Sequence, residues 1–245
     1  MNLFRGVKVY LDGVDFIENR VSVSSGINTI SEDTTDIFPF ENGALVPKLP
    51  WRTLCEQNEE ALFSLEKPHL IDYHQTIQVV NIPEDIKVFC LENEIHLLST
   101  KTDILKFYQT DLYIDLKEKL YTFYSKFLFS ETNFRFYNLF ADDPGKATVT
   151  ISYTKRRCGL HIDNRQTFSF SQLHSAPNAI LINLGTEPRD FLFINLTTEQ
   201  LQSILQHSQY SSVDMIHRDF AKAFIEYPVV RIKLNPFEAY IAPTE

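Results

Sequence analysis

The sequence predicts an α+β protein, with helices concentrated before residue 130, short strands after residue 134, and a helical insertion between the last strands. Three observations predict it. Residues 102–128 place Ile104, Leu105, Tyr108, Leu112, Leu116, Leu120, Phe123 and Phe127 at spacings of three and four, the stripe of an amphipathic helix. After residue 134 the runs FRFYNLF, ATVTISYT, GLHID, NAILINL and DFLFINL are short, β-branched or aromatic, and separated by turn chemistry such as Asp-Asp-Pro-Gly and Gly-Thr-Glu-Pro. Residues 198–227 then return to helical spacing before VVRIKLN and EAYIAP resume the strand pattern.

In chain order, the first hundred residues read as mixed, with alternating stretches VKVYL and TIQVV among acidic, Gly- and Pro-containing segments. Pro50 followed by Leu54, Ala61, Leu62 and Leu65 predicts a helix over 51–65. The 102–128 segment is one helix, or two with a break near Thr110. TTEQLQSILQ and SSVDMIHRDFAKAFIEY each open on a Ser/Thr cap with an acidic or amide side chain about three residues on, and Pro228 stops the second. No Gly-, Pro- or Ser-rich linker divides the chain, so 1–245 reads as one domain: a mixed helical region over 1–130 packing on a β core over 134–245.

Composition bounds the function. The chain carries 32 acidic and 23 basic residues, a net charge of −9, and its one basic cluster, Lys155-Arg156-Arg157, flanks a strand; duplex nucleic acid is therefore not an expected partner. Three cysteines without CxxC spacing argue against a disulfide framework and a structural zinc site, and fit a reducing compartment. Neither a signal-peptide core nor a run of roughly 20 apolar residues is present, which makes the cytoplasm the expected location and a membrane an unexpected partner. Seven glycines leave little room for a phosphate cradle, and no Ser/His/Asp order or P-loop competes.

The stretch RRCGLHIDNRQ carries the chemistry. On a strand, His161 and Asp163 would point to one face and Ile162 to the other, so an imidazole and a carboxylate would converge. Two such ligands and a later histidine make the 2-His-1-carboxylate triad of non-heme Fe(II). A polar pair facing water would have the same spacing.

The order of elements around this pair resembles the Fe(II)/2-oxoglutarate-dependent oxygenases: N-terminal helices, the strand ATVTISY, the HxD motif in HIDN, further strands, and VVRIKLNPFEAYIAP. In that superfamily a strand, a turn containing Pro-Gly-Glu or Pro-Gly-Asp, and a second strand precede the distal histidine. Pro236-Phe237-Glu238 resembles this element with Phe where Gly is usual. The resemblance covers roughly residues 134–245. It implies a double-stranded β-helix, the jelly-roll or cupin-like core; iron held by His161 and Asp163; 2-oxoglutarate as co-substrate; and dioxygen as oxidant. It also implies a distal histidine and a co-substrate arginine after Glu245, so the expectation is either a longer protein or a chain that holds its metal differently or not at all.

Within the sequence, His217 is a weak candidate for the third ligand because it falls inside a helical pattern, where packing beside the core explains it equally well. His207 follows a helix, where a cation complements the dipole, and His174 is an outside candidate. Tyr153 is a candidate for binding the co-substrate carboxylate. Arg189, Asn183 and Asn195 are candidates for substrate binding, and Arg231 faces either a barrel interior or water. The implied activity is hydroxylation of a small molecule, amino acid or peptidyl substrate. A retained carboxylate ligand in Asp163 argues against halogenation. Two other readings stay open: a non-catalytic β-barrel binding protein, and a cupin-type isomerase or sugar-binding domain.

Overall fold

The computed structural model describes residues 1–14, 20–31, 39–64, 71–72, 74–127, 139–140, 150, 152–162, 176, 178–206 and 213–243. Its strands are β1 Lys8–Asp12, β2 Val21–Val23, β3 Ile27–Thr29, β4 Phe40–Pro47, β5 Arg52–Thr53, β6 Thr76–Asn81, β7 Arg157–Gly159, β8 Asn178–Ile182, β9 Arg189–Phe193, β10 Val230–Leu234 and β11 Glu238–Pro243. The helices are α1 Glu56–Leu62, α2 Glu84–Glu92, α3 Lys101–Phe107, α4 Asp111–Tyr124, α5 Thr198–Leu205 and α6 Val213–Ala223. The protein is α+β, as predicted.

Two four-stranded sheets form the centre: sheet A in the order β1-β6-β11-β8 and sheet B in the order β5-β2-β10-β9. Every neighbouring pair in them is antiparallel except β1 and β6. Each sheet joins strands from before residue 82 to strands from after residue 177, so the sheets do not divide near residue 130. A third sheet, C, has the order β3-β4-β7.

Strand alternation explains the layers. In β10, Val230, Ile232 and Leu234 point inward with Phe191 and Phe193 of β9 and Val21 and Val23 of β2. They meet Val9, Ile77, Val79, Tyr240 and Ala242 of sheet A. Phe191 and Tyr240 stack across this interface with centroids 4.0 Å apart. The opposite face of sheet A, with Val80, Ala239, Ile241 and Ile180, is covered by Ile86 and Cys90 of α2 and Leu116, Leu120 and Phe123 of α4. The outer face of sheet B turns Leu192 toward Ile27 and Leu45 of sheet C. Helices α5 and α6 pack Leu201, Ile216 and Phe220 into the core between A and B.

Several sequence expectations change in detail. The 51–65 helix starts only at Glu56, because Arg52 and Thr53 pair with β2 as an edge strand. The 102–128 segment breaks as α3 and α4, with Thr110 at the N-cap of α4. Helix α2 follows Pro83 in a stretch where no helix was expected. Thr197 caps α5 in a reciprocal capping box with Gln200, and α5 and α6 occupy the predicted insertion. Most of the predicted strands at 134–140 and 147–154 lies outside the described residues, but the end of the second is a turn at Tyr153 and Thr154 rather than a strand.

The β10–β11 turn accounts for the Pro-Phe-Glu sequence. Glu238 N donates to Asn235 O at 3.1 Å, and Phe237 adopts φ +65°, the left-handed conformation that glycine favours at the third position of such a turn. Phe tolerates it while its ring packs beside the α2–α4 core.

Candidate functional site

The site is assembled from sheet C and α6. Strand β7 runs beside β4, with Arg157 N donating to Pro39 O and Leu160 N to Leu45 O at 2.8 Å. Gly159 permits this approach: its φ is +73°, and a Cβ there would lie 2.4 Å from Leu45 O. The strand ends at Gly159, so His161 and Ile162 are not on a strand, and the alternation expected to aim His161 and Asp163 together does not apply at His161. Instead, His161 Nδ1 donates to Gly159 O at 2.8 Å. In the neutral ring, that bond selects the tautomer with the proton on Nδ1 and the lone pair on Nε2.

From the other side, Ile216 and Phe220, both fully buried four residues apart, fix the rotation of α6. This rotation brings His217 and Arg218 to a cleft of about 180 Å³ shared with Glu41, Cys158, Leu160 and His161. His217 and His161 thus line one cleft despite their separation in sequence. Burial pushes the Cys158 thiol up, and the Glu41 charge adds to the shift. Cys158 is accordingly held protonated, the wrong state for a nucleophile. Among the described residues, no three His, Cys, Asp or Glu side chains are disposed to hold a metal.

Asp163, His174 and His207 lie outside the described residues. Tyr153 sits in a turn, 99% exposed, and does not line the cleft. Asn183 is buried: its Nδ2 donates to Leu234 O and Glu187 O, and its Oδ1 accepts from Gly185 N. Asn195 is buried too, with Nδ2 on Phe4 O and Oδ1 accepting from the Tyr227 hydroxyl at 2.7 Å. Both amides are engaged in joining segments of the fold. Arg189 opens β9 away from the cleft. Arg231 lies on the outer face of sheet B, donating to Ser22 Oγ and stacking over Trp51 at 4.4 Å.

Sequence reasoning missed Glu41, Cys158 and Arg218. Nothing local marks Glu41, since its place depends on β4 pairing with a strand more than a hundred residues later. No protein-family model matches the chain, and no curated protein or solved structure matches it either. No described helix is long and apolar enough to cross a membrane.

Proposed function

We propose that the protein is a non-heme Fe(II)/2-oxoglutarate-dependent oxygenase, a hydroxylase of a small-molecule, amino-acid or peptidyl substrate, with His161, Asp163 and His217 as metal ligands. The observation that carries this reading is the meeting of His161 and His217 at one cleft, with the His161 tautomer set by the Gly159 carbonyl. The donor chemistry fits. Imidazole suits iron, and a carbonyl on the second ring nitrogen is the usual support of a ligating histidine. Asp163 would supply the carboxylate, two residues beyond His161. Iron bound there supplies dioxygen activation and oxidation of an unactivated carbon.

The remaining residues position the reactants. Arg218 offers a planar two-donor fork to a carboxylate of 2-oxoglutarate. Leu160 and Ala44 give the cleft an apolar part of its lining. The path of β8, β9, β10 and β11 through sheets A, B, B and A is consistent with a jelly-roll core, whose two sheets share successive strands.

One observation favours a second reading, a non-catalytic binding protein: the space between sheets A and B is filled by apolar side chains, and the cleft lies at sheet C instead. Anaerobic addition of Fe(II) and then 2-oxoglutarate separates the two. The oxygenase reading expects a weak visible charge-transfer band that disappears in His161→Ala, Asp163→Ala and His217→Ala. A band that survives the histidine changes overturns the ligand assignment, and absence of iron binding leaves the binding-protein reading.

A further inference from the structure

We propose that the hairpin tip formed by Tyr153, Lys155 and Arg156 is a docking finger for an acidic peptide segment. The loop is firmly bonded. Ser152 N donates to Arg156 O at 2.8 Å, Lys155 N to Ser152 O at 2.9 Å, and Cys158 N to Thr150 O at 2.9 Å. This is a three-residue hairpin loop whose last residue, Lys155, takes φ +59° where glycine is favoured. Further bonds fasten it to β4: Thr154 Oγ1 donates to Glu41 Oε1 at 3.3 Å and Arg156 Nη1 to Phe40 O at 3.2 Å.

The consequence is an aromatic ring held 99% exposed on a preorganised support. The backbone beneath the ring loses little conformational freedom on binding, and Tyr and Arg are enriched at the energetic centres of protein interfaces. Lys155 and Arg156 flank it with positive charge. The whole chain carries a net charge of −9, which repels a long polyanion while leaving this local complementarity to a short acidic segment. The Thr154–Glu41 bond joins the finger to a residue lining the cleft. The inference does not depend on the metal reading.

Fluorescence anisotropy with a fluorescein-labelled peptide of alternating Glu and Tyr, added to the full chain at low salt, tests it. Saturable binding is expected, weakened about tenfold by Tyr153→Ala. Lys155→Gly removes a charge while suiting the left-handed backbone, and together with Arg156→Ala it should weaken binding and flatten its salt dependence. No saturable binding, an unchanged affinity in Tyr153→Ala, or tighter binding of a labelled oligothymidylate than of the peptide would each overturn the proposal.

Discussion

Arg20 and Glu238 form a buried two-pronged ion pair, Nη1 to Oε2 at 2.7 Å and Nη2 to Oε1 at 2.9 Å. Glu238 Oε2 also accepts from Asn235 N at 2.8 Å, so the carboxylate holds both the residue before β2 and the turn between β10 and β11. Charge here is costly to strand. Arg20→Met alone should lower stability by about 3–5 kcal/mol, because the Glu238 carboxylate would stay buried without its partner. Replacing both by apolar residues of similar volume should recover most of that loss, as read by urea unfolding midpoints.

The Tyr227 hydroxyl donates to Asn195 Oδ1 at 2.7 Å and accepts from Phe4 N at 3.1 Å, tying the N-terminal segment to the end of β9. Tyr227→Phe keeps the ring and strands both partners. The expected loss is about 1–3 kcal/mol, visible as a lower Tm.

Gln206 closes α5 at φ +54°, exposed. Gln206→Gly should therefore stabilise the protein by about 1 kcal/mol, since the side chain contributes strain without packing. An unchanged or lowered Tm in a thermal melt would overturn this expectation.

Burial in the α2–α4 core pushes the Cys90 thiol up to about 11 from its ordinary 9.0. The unfolded thiol releases its proton first, so this contribution to stability is complete below about pH 9 and is lost as pH rises toward about 11. Cys90→Ala should lower stability overall yet flatten its decline over that window. Denaturant titrations at several pH values measure the slope.

At the cleft, Gly159→Ala would drive a Cβ into Leu45 O and displace the carbonyl that orients His161. Iron affinity measured by anaerobic titration should fall at least as far as the 10–100-fold typical of a lost supporting contact. Circular dichroism should remain close to that of the unaltered protein, because the atoms nearest the added Cβ belong to Ala44 and Leu45 of sheet C.

The sequence by itself determined the elements whose signal is local. The stripe from Ile104 to Phe123, the break at Thr110, the Thr197–Gln200 cap and the alternation of Val230, Ile232 and Leu234 all follow from residues a few positions apart. The Pro236-Phe237-Glu238 turn was expected from the resemblance, with Phe237 where glycine is usual. Only the tertiary structure decided that β6 lies between β1 and β11, that β7 pairs with β4 and ends at Gly159 so that His161 is off the strand, and that His217 and Glu41 share its cleft. Those relations depend on pairings between segments tens to hundreds of residues apart. A sheet register or a helix rotation is fixed by what packs against it, and the stretch of chain that bears a residue such as Glu41 holds no record of that partner.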